Sequence, residues 1–137
     1  MSVIKVNWRL VGAVVLLCLF WGNTGWAELL KVPNDHLTIQ EAIDASKSGD
    51  TIVVASGTYF LHSGNITVNK DSITLKSSFG PTMSIIEGRA ENPVITFSEN
   101  CRATIQGFTI TRLDETKGES LKGGGIYCGK ASSPTII

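Results

Sequence analysis

Beyond residue 26 the 137-residue chain contains no tryptophan, and the whole of it has only three cysteines, two histidines and four prolines. Each scarcity excludes something. Without tryptophan the flat indole platforms of many sugar-binding modules are missing, which weakens a lectin-like reading. Three cysteines are too few for a disulfide-stapled miniprotein. His36 and His62 have no second His or Cys at metal-ligand spacing, so they read as surface residues. Twelve basic and twelve acidic side chains cancel, leaving no long-range field to attract nucleic acid or an anionic membrane. Asn-Gly and Asp-Gly hairpin turns are absent, so neighbouring strands are not encouraged to pair with each other. No phosphate-cradling loop is present either, because Gly123-Gly124-Gly125 runs into a strand pattern and not into a helix. What remains is 42% hydrophobic and 18% charged, a folding composition in a length that allows one ordinary domain.

Residues 1–27 stand apart from the rest. Lys5 and Arg9 precede an apolar run from Leu10 to Trp21, and small residues follow at Gly25 and Ala27. This pattern predicts a secretory signal peptide over residues 1–27, cleaved between Ala27 and Glu28, and an exported chain (secreted, periplasmic or on the cell surface). The run is shorter than the ~20 residues a bilayer requires, so no membrane span is expected once the signal is removed. A lipoprotein reading through Cys18 is disfavoured, because Leu17 stands where a small residue is usual.

Residues 28–137 form the expected domain. They hold 30 Ile, Val and Thr residues against seven Leu, a bias toward strands. Thr38–Lys47 is the one convincing helix: Thr38 and Glu41 stand at capping-box spacing, Leu37 is placed to staple onto Ala42, and Ile39, Ala42 and Ile43 make one apolar stripe. After Asp50 come short strands broken by Gly, Asn, Asp, Ser or Pro. Thr51-Ile52-Val53-Val54, Ser72-Ile73-Thr74-Leu75 and Pro93-Val94-Ile95-Thr96 are evenly spaced, beginning at positions 51, 72 and 93. That spacing predicts a repeat with a period in the low twenties. Short strands at such a period fit a solenoid, each strand stacked ~4.8 Å from its equivalent, with inward Ile and Val forming ladders and the helix covering the first rung. The surviving cysteines, Cys101 and Cys128, are compatible with a disulfide in an oxidising compartment or with two buried thiols packing as small apolar groups.

The string Leu37-Thr38-Ile39-Gln40-Glu41-Ala42-Ile43-Asp44-Ala45, followed by Gly49-Asp50-Thr51-Ile52-Val53-Val54-Ala55-Ser56-Gly57-Thr58-Tyr59, resembles the opening of secreted right-handed parallel β-helix proteins of the pectin lyase-like fold. Gly107-Phe108-Thr109-Ile110-Thr111, Gly123–Cys128 and Ser132–Ile136 continue the resemblance. It implies an all-β, right-handed parallel β-helix with a short N-terminal capping helix. It also implies that residues 28–137 are the cap and first rungs of a longer domain, with further rungs C-terminal to Ile137.

Three chemistries are associated with this fold. A pectin methylesterase reading is disfavoured, because Phe60-Leu61-His62 follows Tyr59 where that family has a glutamate. A polysaccharide lyase needs a base and a cation, or an Arg or Lys, to neutralise a uronate carboxylate. The candidates are Arg112, Asp114, Glu115 and Glu119 on the excursion between Ile110 and Gly123, with Ca²⁺ as the cofactor that Asp114, Glu115 and Glu119 would hold. A glycoside hydrolase would pair Glu87 with Asp114 or Glu119. Against these, a charged solvated loop accounts for the same residues, and no complete catalytic set is present. The reading favoured is a secreted or cell-surface protein whose long face contacts extracellular or cell-wall polysaccharide, the alternative being the N-terminal part of a lyase or hydrolase. Asn65-Ile66-Thr67 also matches a glycosylation sequon.

Overall fold

The computed structural model describes residues 25–62, 64–89, 92–113 and 124–137. In chain order the elements are β1 (Leu29–Val32), α1 (Ile39–Ala45), β2 (Thr51–Val54), β3 (Gly57–Phe60), β4 (Ile66–Val68), β5 (Thr74–Ser77) and β6 (Ser84–Arg89). Then follow β7 (Ile95–Phe97), β8 (Thr104–Gln106), β9 (Thr109–Leu113), β10 (Ile126–Cys128) and β11 (Thr135–Ile136). The fold is mostly β, and every pairing between these strands is parallel.

The strands form three sheets: A, in the order β1-β2-β5-β8-β11; B, in the order β3-β6-β9; and C, in the order β4-β7-β10. From β2 onward the chain visits A, B and C in the same order three times before returning to A. The predicted strand segments are present, but the even period is not. Thr51 pairs with Thr74 and Thr74 with Thr104, so the second step along the chain is longer than the first. Pro93–Thr96 belongs to sheet C, where Ile95 pairs with Ile66 and Ile126. Short Ile-, Val- or Thr-bearing strands occur in both sheet A and sheet C, so spacing alone matches segments that lie in different sheets.

Alternation along each strand sends every second side chain inward. In sheet A, Leu30, Ile52, Leu75 and Ile105 stack in register and are all buried. Ile66 and Ile95 do the same in sheet C, beside Val68 and Phe97. Sheet B contributes Ile86 between the partly buried Tyr59 and Ile110. Burial of each such side chain stabilises by roughly 1.5–3 kcal/mol.

Helix α1 closes one end of this core. Thr38 caps it: its Oγ1 accepts from the Glu41 N–H at 3.1 Å, and Glu41 Oε2 accepts from the Thr38 N–H at 3.3 Å, which completes the predicted box. Ile39, Ala42 and Ile43 face β1, β2 and β4 and are at most 3% exposed. Leu37 does not staple onto the helix; it is 77% exposed. Its N–H instead donates to Glu41 Oε2, so the entry is fixed by hydrogen bonds.

Corners into sheet A share a conformation. Gly49, Ser72, Asn100 and Ala131, ahead of β2, β5, β8 and β11, all have positive φ, and three of them are not glycine. Their amides bond to the neighbouring layer: the Gly49 N–H donates to the Ser72 carbonyl, the Ser72 N–H to the Arg102 carbonyl and the Asn100 N–H to the Lys130 carbonyl. The bonds gained along the corner offset the left-handed strain of roughly 1–2 kcal/mol at each non-glycine residue.

Candidate functional site

The outward residues of sheet A build a cleft-bearing surface. Because the strands are parallel and in register, Lys31, Val53, Lys76 and Gln106 form one line across β1, β2, β5 and β8, and Leu29, Thr51, Thr74, Thr104 and Thr135 form a second. An open cleft of about 550 Å³ lies on this face, floored by Leu29, Val53, Lys76 and Gln106 and walled by Ser77, Ser78, Gly80 and Gly107.

The wall is held in place by hydroxyls. Ser77 Oγ accepts from the Gly80 N–H at 2.9 Å and from the Phe79 N–H at 3.2 Å, and donates to Ser84 Oγ at 2.8 Å. Thr109 Oγ1 donates to the Pro81 carbonyl at 2.7 Å from the following strand. Gly80 and Gly107 both have positive φ, and a Cβ on Gly107 would meet Gly80 Cα at 3.6 Å, so the two corners lie against each other. Between two wall residues, Ser78 and Gly80, stands Phe79, 70% exposed. The cleft therefore offers an exposed ammonium and an amide, with an exposed aromatic ring on the residue between two of its wall residues.

Of the catalytic candidates singled out from the sequence, Arg112 and Glu87 lie away from the cleft. Arg112 is on β9, half-buried, with Gly88 of β6 as its pairing partner, and it does not line the cleft. Asp114, Glu115 and Glu119 lie outside the described residues, as does most of the excursion that carries them. Glu87 is on β6 in register with Thr111. Among the described residues no three His, Cys, Asp or Glu side chains are grouped to hold a metal ion.

Both cysteines are free thiols, so the Cys101–Cys128 disulfide is not formed. Cys101 is buried as expected, with its Sγ donating to the Lys70 carbonyl, and burial pushes its thiol pKa up. Cys128 is exposed, contrary to the expectation of two buried thiols, because it stands in the outermost strand of sheet C beyond Phe97. In the sequon, Asn65 is half-buried and its Nδ2 donates to Thr96 Oγ1, so the amide that would carry a glycan is already engaged.

One exposed ion pair joins successive corners. The Arg102 guanidinium donates to Asp71 Oδ2 at 2.8 Å and its backbone N–H donates to Oδ1 at 2.8 Å, which holds the Asp71 carboxyl down to about 2. The cleft escapes sequence reading because its floor residues come from four strands, and only the pairing register brings them together. The signal-peptide reading falls on residues of which all but Gly25–Ala27 lie outside the described part. Among the described residues no helix is long and apolar enough to cross a membrane. No known protein family, curated protein or solved structure matches this chain.

Proposed function

We propose that this chain is an exported right-handed parallel β-helix protein that contacts extended polysaccharide along the outer face of sheet A. The single observation that carries the reading is the cleft across β1, β2, β5 and β8. Three circuits through sheets A, B and C in constant order, with parallel pairing throughout, support the β-helix architecture. A face of strands repeating every ~4.8 Å suits a polymer better than a compact ligand, because equivalent groups recur along it. Lys31 and Lys76 on that face favour an acidic polymer, Gln106 supplies hydrogen bonds, and Phe79, exposed beside the cleft, takes the stacking role for which no tryptophan remains.

Affinity electrophoresis of the exported protein through gels containing a uronate polymer, a sulfated polymer or a neutral glucan tests this. Retardation by an acidic polymer is expected, and it should fall several-fold with Lys76→Ala or Phe79→Ala while the melting temperature holds. Mobility unchanged in every gel would remove the binding reading. Unsaturated oligosaccharides appearing in the uronate gel would replace it with the lyase reading.

A further inference from the structure

The start of β1 carries an arrangement that the binding face does not use. Asp50 lies in the corner ahead of β2 and is only 3% exposed, yet it is a carboxylate. Its Oδ2 accepts from the Lys47 N–H at 2.7 Å, and its Oδ1 accepts from the backbone N–H of Glu28 at 2.8 Å. Glu28 is in turn fixed on its other side, since its carbonyl accepts from the Thr51 N–H at 2.9 Å. Immediately before it the chain leaves the fold: Gly25, Trp26 and Ala27 are all exposed, Trp26 to 87%.

Glu28 is also the residue that follows the small-residue pattern of Gly25 and Ala27. We propose that hydrolysis of the Ala27–Glu28 peptide bond converts this backbone contact into an ion pair, with the new α-ammonium of Glu28 seated on the buried Asp50 carboxylate, so that processing itself locks the first strand. Water supplies the hydroxyl that leaves with the Ala27 carboxyl and the hydrogen that completes the Glu28 amine, which then takes a proton from solvent. The nitrogen that donates at 2.8 Å as an amide is the same atom that carries the charge after cleavage. A charged donor strengthens such a bond about twofold over a neutral one, and low exposure reduces screening. The other charges near Asp50 are the Lys47 ammonium, which favours the carboxylate, and the Glu28 side chain, which is exposed.

Asp50 is held below the ordinary carboxylate range, first by the Glu28 N–H and then by the Lys47 N–H, against the upward effect of burial. A folded pKa below the unfolded one gives stability that is present above about pH 4 and is lost as pH falls through the folded value. The paired α-amino group has the opposite sign. Its folded pKa rises above the ordinary range of about 7.7–8.0, so its contribution is complete below that range and disappears as pH rises through the raised value.

The inference rests on the export reading, and the experiment separates the two. The full chain is produced with its own leader, and the exported product is weighed intact: a start at Glu28 supports the processing site, and any other start overturns the inference. On the product that starts at Glu28, the α-amino group is acylated with an amine reagent at pH 8. The reaction is expected to run several-fold slower than in Asp50→Asn; equal rates overturn the pairing even though export stands. Should Asp50→Asn fail to fold, the wild-type α-amine is either acetylated, which removes its charge, or dimethylated, which keeps it. The acetylated protein should melt below the dimethylated one at pH 7, and identical melting would sink the proposal.

Discussion

The two ends of the stacked strands have the same kinds of residue in the same register, and they differ in what lies against them. At the α1 end, Ile39, Ala42 and Ile43 seal the core, and Leu30 and Val32 of the first strand are nearly as buried as the residues behind them. At the other end Ile136 continues the Leu30–Ile52–Leu75–Ile105 ladder, yet it is 53% exposed, and Ile137 is 71% exposed. Ile126 likewise follows Ile66 and Ile95 but is only partly buried. An inward isoleucine is therefore core only when a layer covers it on both sides. Burial here is a property of stacking order, and strand sequence alone does not confer it.

That contrast can be broken by truncating one side chain at each end. Ile43→Ala, at a fully buried position under the helix, should destabilise by about 2–5 kcal/mol through lost transfer energy and an unfilled cavity. The chemically similar change Ile136→Ala should fall below about 1 kcal/mol, since its side chain is already half in water. Equal losses in urea unfolding would show that the far end is covered in solution.

Backbone packing sharpens the comparison from the open side. A Cβ on Gly129 would meet the Phe97 carbonyl oxygen at 2.8 Å and the Glu99 nitrogen at 2.9 Å, and neither can move without disturbing β7. Gly129→Ala is expected to destabilise by about 1–3 kcal/mol. A wild-type unfolding midpoint would mean that the layer carrying β10 lifts away easily.

Capping gives a smaller effect. Thr38→Ala removes one half of the reciprocal box and should reduce stability by about 1 kcal/mol, read as a lower urea midpoint at unchanged slope. A fall in slope as well would mean that the first layer detaches with the helix. Smallest is a gain: Ala131→Gly relieves a φ of 56° in the corner before β11, and a rise of up to about 1 kcal/mol is expected. If the midpoint falls, chain entropy outweighs local strain there.

Much of this is legible in the sequence. The capping box, the apolar stripe of α1 and the strand segments at Thr51, Ser72 and Pro93 follow from local patterns, because capping and alternation act over a few neighbouring residues. Strands β1 and β3 escape those patterns for a local reason too. Leu29–Val32 is short and turns Lys31 outward, while Gly57–Phe60 opens on a glycine and leaves Phe60 exposed. The circuit length is misleading because the connections vary: the step from Thr104 to Thr135 is longer than that from Thr51 to Thr74, while the strands between stay alike. The cleft is invisible for the same reason. Lys76 and Gln106 are a whole circuit apart along the chain, and nothing in either segment announces that they lie side by side.

Sheet A has its strands in chain order, β1 to β11, with none inserted out of turn. A polypeptide made from its N-terminus can therefore be assembled as a wall is laid, course upon course. The helix and β1 set the footing, and each later strand arrives to find its partner already in place. Within sheet A no strand after β1 waits for a partner still to be synthesised, so none of them has to be held open for a distant mate.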